Sequence, residues 1–222
     1  ELAQTMKKKE KQRREIAAQI NKIIQRELAE ARKKDQENQK KIRDSINLAN
    51  KKNPSLPSNI GKVPTIKKTQ RPPSELENTP EGIITSTQFE KNKGSLPWPV
   101  DQKYITLHFG INSIPAKPRP INVPSDGITM ETQLGAPVKV IFDGEIASVS
   151  NIADKVLVIV RHGKYFSAYS NLESASVTRG QKVTRGQVIG KAGANDDGAG
   201  EMELIITNEK GTNLNPESWI RK

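Results

Sequence analysis

The chain has no cysteine, which excludes disulfides and thiolate metal sites. It has two histidines among 222 residues, and aromatic residues make up 4%. No run of about 18 apolar residues occurs, so no segment reads as a membrane-spanning helix. The hydrophobic share is 33% and the charged share 27%. That mixture predicts one packed domain joined to a solvated, charge-rich part.

The charge is distributed unevenly. The formal net charge is +11, but residues 1–52 carry 16 Lys/Arg against 8 Asp/Glu, and residues 96–222 carry 14 against 13. Nearly all the basicity therefore lies in the first segment. Acidic residues are interspersed there as on a solvated helix, and aromatics are few, which argues against nucleic acid as a partner. The sequence begins at Glu1 without an initiator Met and reads as a fragment whose targeting segment has been removed.

Residues 1–48 contain neither Pro nor Gly and are rich in good helix formers. Apolar positions recur at Leu2, Met6, Ile16, Ile20, Ile23/Ile24, Leu28 and Ala31, a 3-4 spacing interrupted by Lys9 and Arg13. The pattern predicts a helical segment over 1–50, either a single solvated helix or the end of an antiparallel coiled coil; a helix this long favours the coiled coil. Residues 51–95 form a linker or regulatory arm, with Pro54, Pro57, Pro64, Pro72, Pro73 and Pro80 among Ser, Asn, Lys and Thr. Within it, 81–93 is read as a short helix with Ile83, Ile84 and Phe89 on its apolar side, ended by Gly94. From residue 96 the periodicity turns to twos, with turn signals at Asp143-Gly144 and His162-Gly163, so 96–222 is an all-β domain. TRGQ occurs twice, at 178–181 and 184–187, a local turn echo rather than a solenoid.

Six motifs occur in order: GSLPWPV (94–100), LHFG (107–110), GAPVKVIFDGEI (135–146), VIVRHGKYFSAYSNL (158–172), VTRGQKVTRGQVIGKAG (177–193) and LNPESWI (214–220). Together they resemble the LytM domain, the lysostaphin-like zinc peptidase fold of cell-wall endopeptidases. The resemblance implies a mainly β domain of the duplicated hybrid-motif, barrel-sandwich type. The charged helix and linker ahead of it resemble the EnvC type of murein hydrolase activator. STQFEKNKGSLPWPV is similar to its Bacteroidetes-like branch.

Active members of that family hold Zn²⁺ with two His and one Asp and use two further His in catalysis. The matching positions here are Ser125 and Thr129 in SDGIT, Asn171 in YSNL, and Glu201 and Glu203 in EME. Hydroxyls are poor zinc ligands, and an amide has no pKa with which to shuttle protons. The expectation is a pseudo-peptidase with no catalytic residue, no metal and no cofactor. Glu201 and Glu203, as alternate residues of a strand, would line the old cleft. They could alternatively hold a hard cation or serve a residual metallopeptidase. The Asp196-Asp197 pair reads as a solvated turn, and His108 and His162 as structural. Trp98 and Trp219 read as core anchors, and one of Tyr165, Phe166 and Tyr169 as a cleft residue.

The resemblance implies a non-enzymatic activator of an N-acetylmuramoyl-L-alanine amidase in daughter-cell separation. The degenerate groove (Ser125, Thr129, Asn171, Glu201, Glu203) would grip an amidase helix. It also implies a periplasmic location and a coiled coil docked on an FtsE–FtsX-type division transporter. The 51–95 arm would be autoinhibitory, covering the groove through Ile83, Ile84 and Phe89. The alternative from another class is a peptidoglycan-binding or scaffold module.

Overall fold

The structure, a computed structural model, describes residues 2–52, 74–101, 104–115 and 119–222. The expected Pro-rich stretch falls largely at 53–73, outside the described residues.

With no helix breaker before Pro54, helix α1 runs unbroken over Leu2–Lys52, 51 residues or about 77 Å. Among the described residues its apolar stripe meets a sheet, where the coiled-coil reading supposed a second helix. Ile16, Ile20, Ile23 and Ile24 are buried, and with Leu28 and Ala31 they pack on a sheet face formed by Ala147, Leu157, Ile159, Phe166, Ala168 and Ile205. Fully burying an Ile side chain is worth about 1.5–3 kcal/mol, so these four dominate the docking. Polar contacts continue it. Arg26 donates to the Ala147 carbonyl, Glu27 lies 3.6 Å from Arg161, and Arg179 pairs with Glu30 at 2.6 Å. Farther along, Ile42, Ile46 and Leu48 are exposed, so the helix overhangs the domain there.

Helix α2 spans Pro80–Lys91, close to its expected position. The Thr79 hydroxyl caps its start by accepting from the Gly82 N–H at 3.1 Å, and Pro80 occupies a first-turn position where no N–H is needed. Its anchor is Phe89, fully buried against Phe142, His162, Tyr165 and Trp219. The helix lies so close to the Gly163 turn that a Cβ at Gly163 would strike Ser86, and Gly163 also has φ +69°.

The rest is β-structure: β1 (Tyr104–Leu107), β2 (Gly110–Ile114), β3 (Ile121–Ser125), β4 (Ile128–Thr132), β5 (Pro137–Lys139), β6 (Gly144–Ile152), β7 (Lys155–His162), β8 (Tyr165–Ala175), β9 (Lys182–Val183), β10 (Val188–Ala194), β11 (Gly200–Asn208) and β12 (Asn213–Leu214). β2 and β3 form a separate two-stranded ribbon. The others form a ten-stranded sheet in which every described pairing is antiparallel, with path β1-β4-β11-β10-β8-β7-β6-β9, β5 and β12 branching from β10 and β11. The first part of β8 pairs β11, and its last part pairs β10. The expected barrel-type closure does not occur. The ends of the path, β1 and β9, have four and two residues and one sheet neighbour each among the described residues.

Alternation along β11 fixes the two faces. Met202, Leu204 and Ile206 enter the main core, whereas Ile205 belongs to the face under α1. Tyr169 is also in the main core, while Phe166 lies under α1. Trp219 is buried in the core and Trp98 packs against it, as expected of framework anchors.

Candidate partner-binding groove

Four of the five expected positions, Thr129, Asn171, Glu201 and Glu203, lie on the adjoining strands β4, β8 and β11. Register places Thr129 opposite Glu203 and Glu131 opposite Glu201 across β4–β11, and Ser170 opposite Glu203 across β11–β8. The β3–β4 turn brings Ser125 in beside them. Gly127 is required there, because a Cβ would collide with the Leu204 carbonyl. Asn171 sits at an irregularity of β8 with φ +60°, a left-handed conformation that Asn tolerates better than most residues.

Three of these side chains are hydrogen-bonded within the protein. The Ser125 hydroxyl donates to the Gly127 carbonyl at 3.0 Å. The Asn171 amide donates to the Glu201 carbonyl at 2.8 Å, and the Ser170 hydroxyl donates to the Glu203 carboxylate at 2.8 Å. Two hydroxyls, an amide and two carboxylates do not match the His and carboxylate donors of a tetrahedral zinc site. Among the described residues no three His, Cys, Asp or Glu side chains are grouped to hold a metal ion. The residues present do not fit the zinc that the resemblance implies.

The electrostatics are those of a buried acidic end. Burial raises the carboxyl pKa of Glu203, opposed by the Ser170 hydrogen bond and the Arg13 charge. Burial also raises Glu201, opposed by Lys9 and reinforced by Asp196, Glu131 and Asp197.

Sequence reasoning missed Lys9, Arg13, Ser170 and the role of α1 as a whole. The start of α1 passes over this end of the sheet. Arg13 donates to the Pro124 carbonyl just before Ser125, and Lys9 pairs with Asp196 at 3.2 Å. The Asp196-Asp197 turn is thus part of the α1 contact. Ile16 and Ile20 then continue along the same face toward Ile205, Ala168 and Phe166. The signal that could have revealed this is the 3-4 spacing itself. Lys9, Arg13, Ile16, Ile20 and Ile23/Ile24 lie on one side of a helix, so the two cations continue the seam rather than interrupt it.

Among the described residues, Ile83, Ile84 and Phe89 do not make the expected groove contacts. Phe89 belongs to the core near Tyr165, and Ile83 and Ile84 are exposed. Tyr165 and Asn171 are six residues apart on β8, about 20 Å of strand. α2 sits at the far end because its one large aromatic fits the Phe142–His162–Trp219 pocket.

The two histidines lie outside the cluster. His108 is exposed and pairs with Glu217 at 3.1 Å. His162 is fully buried, with Nδ1 2.7 Å from the Asp143 carbonyl and Nε2 2.7 Å from the Ser167 hydroxyl. The only consistent proton assignment has Nδ1–H donating to the carbonyl and Nε2 accepting from Ser167. Tyr169 accepts from the Ile141 N–H at 2.9 Å and can donate to Ser167 at 3.2 Å, which completes the chain.

Residues 123–216 match the model for Peptidase family M23. The chain is 34% identical over 119 residues to the peptidoglycan DD-endopeptidase ShyB of Vibrio cholerae, covering 50% of this chain and 28% of that protein. It is 31% identical over 115 residues to ShyA, a peptidoglycan DD-endopeptidase of the same organism, covering 47% and 26%. The matched region is thus about a quarter of the length of these relatives. Among solved structures, Csd3 of Helicobacter pylori aligns at 19% identity and a TM-score of 0.49, covering 59% of this chain and 36% of that one.

Proposed function

Starting from the M23 peptidase-family domain at residues 123–216, we propose that this domain is a non-catalytic binding module. It activates a peptidoglycan amidase by holding a helix of that enzyme. The observation that carries this reading is the composition of the groove. At the position where the family cuts peptides, this chain has Ser125, Thr129, Asn171, Glu201 and Glu203, and the Ser125 hydroxyl, the Asn171 amide and the Glu203 carboxylate are hydrogen-bonded within the domain. That polar end runs directly into the apolar face of Phe166, Ala168 and Ile205, a surface that seats a helix. Activation is a population shift, with the groove stabilising the amidase conformer whose blocking helix is released.

The restraint is assigned to α1, which lies over the groove, and no longer to Ile83, Ile84 and Phe89 of the arm. The overhang of α1 with Ile42, Ile46 and Leu48 is the part available to an FtsE–FtsX-type transporter. This scheme places the protein in the periplasm.

The test is a pulldown with the full chain as bait, comparing a purified amidase with purified sacculi. Retention of the amidase supports the proposal. A second reading, a peptidoglycan-binding scaffold, is favoured by the similarity to two peptidoglycan endopeptidases. Retention on sacculi without amidase binding selects it.

A further inference from the structure

The way α1 occupies the groove also specifies the ligand. We infer that the groove selects a helix with a basic start and an aliphatic continuation: cations at positions i and i+4, aliphatic residues at i+7 and i+11, all on one side. This rests on reading the groove as a helix-binding site and names the chemistry of its partner.

The argument begins with the two halves of the floor. At one end Glu131, Asp196, Asp197 and Glu203 act on Glu201 or lie beside it, and Asp126 acts on Glu203. The other end is the apolar cluster of Phe166, Ala168, Ile159 and Ile205, bounded beyond Phe166 by its cross-strand neighbour Arg161, which pairs with Glu27 of α1. α1 meets each half with its complement. Lys9 pairs with Asp196 and its charge acts on Glu201; Arg13 reaches the Pro124 carbonyl and its charge acts on Glu203. Ile16 and Ile20 follow seven and eleven residues after Lys9, onto the apolar half.

The division of labour follows from magnitudes. Lys9 and Asp196 have side chains 47% and 57% exposed, and exposed ion pairs add little to affinity. The buried isoleucines supply the affinity. The cations fix direction and register, because a helix reversed or slid by one turn would place Ile16 or Ile20 among carboxylates. When α1 leaves, the carboxylates lose Lys9 and Arg13 together. An incoming helix lacking cations at those positions leaves Glu201 and Glu203 uncompensated in a poorly hydrated site.

The experiment uses the full chain carrying Ile20→Asp and Ile24→Asp, which loosens α1. It is titrated at low salt with a fluorescein-labelled peptide of residues 4–24. The peptide should bind the loosened chain at least about tenfold more tightly than the wild-type chain, where tethered α1 competes at high effective concentration. The same peptide with Lys9→Glu and Arg13→Glu should bind the loosened chain at least about tenfold more weakly, with the gap narrowing as salt rises. Adding Glu201→Lys to the chain should reverse the preference between the two peptides.

Equal binding of the two peptides overturns the basic pattern. Failure of both to bind a loosened chain with native circular dichroism overturns the helix-binding site itself. If the double Asp variant does not fold, Ile20→Ala takes its place with the same peptides. The titration contains no amidase, so its outcome is separable from that of the proposed activator role.

Discussion

Ser170 and Glu203 face each other across β8 and β11, and the serine hydroxyl donates to the carboxylate at 2.8 Å. A carboxylate so deeply buried is held at a cost. Burial raises its pKa, so the folded state binds its proton more readily than the unfolded chain does. That contribution to stability is present below the ordinary Glu range and is lost as pH rises through the folded value. Glu203→Gln keeps the acceptor for Ser170 and removes the titration. The variant should fold and stay within about 1 kcal/mol of wild type at pH 8. Urea unfolding at pH 5 and pH 8 checks this. A Gln variant several kcal/mol less stable at pH 8 would show the charge itself to be structural.

The stripe on α1 gives a second expectation. Ile20 is 4% exposed, and truncation of a buried Ile to Ala costs about 2–5 kcal/mol. Ile20→Ala should therefore undock α1 while leaving the β-domain folded. Trypsin should then cut at Lys22 and Arg26 much faster than in wild type, and amide exchange should rise around Ala168 and Ile205. Unchanged cleavage and exchange would show that the stripe does not hold α1 in place.

Phe89→Ala separates the two helices. Phe89 is fully buried among Phe142, His162, Tyr165 and Trp219, so its loss should destabilise the domain by about 3–5 kcal/mol. Protection of the β11 residues Glu201–Ile205 should fall no further than that of the rest of the β-domain, because α2 is distant from them. Selective deprotection of Glu201–Ile205 would return the restraint to the arm.

His162 sets an acid limit. Burial lowers its pKa from 6.5 to about 4, against the raising effect of the Asp143 carbonyl. The neutral imidazole's contribution is fully present above pH 6.5 and is lost as pH falls toward 4, since the unfolded chain binds the proton first. The shift corresponds to about 3 kcal/mol across that window. Chemical denaturation from pH 7.5 to 4 should show this fall, and His162→Gln should flatten it even though the variant is weaker at pH 7.5. A pH profile unchanged by His162→Gln would refute the assignment.

Much of this was legible in the sequence, for identifiable reasons. The long helix followed from 48 residues without Pro or Gly, α2 from its apolar side and Gly94, and the strands from period-two runs. The five positions were singled out by the order of motifs, and register brings Thr129, Glu201 and Glu203 together. What could not be read was the partner of the α1 stripe. A helix with Ile at 3-4 spacing looks the same whether it faces another helix or a sheet, and only the Ala168–Ile205 face decides between them. The place of Phe89 was hidden for a related reason. Its periodicity identifies an apolar side, while the pocket that receives it is built from Phe142, His162 and Trp219, more than 50 residues away in sequence. Barrel closure depends on edges as short as β9, which carry almost no periodic signal.

Dye release from labelled sacculi tests the central claim most directly, with the wild-type chain and the Ile20→Asp/Ile24→Asp variant, each alone and with a purified amidase, with zinc supplied throughout. The account expects no release by either form alone, stimulation of the amidase by the wild type, and several-fold greater stimulation by the variant whose groove is uncovered. Release by this chain alone that is lost on chelation and restored by zinc would contradict it.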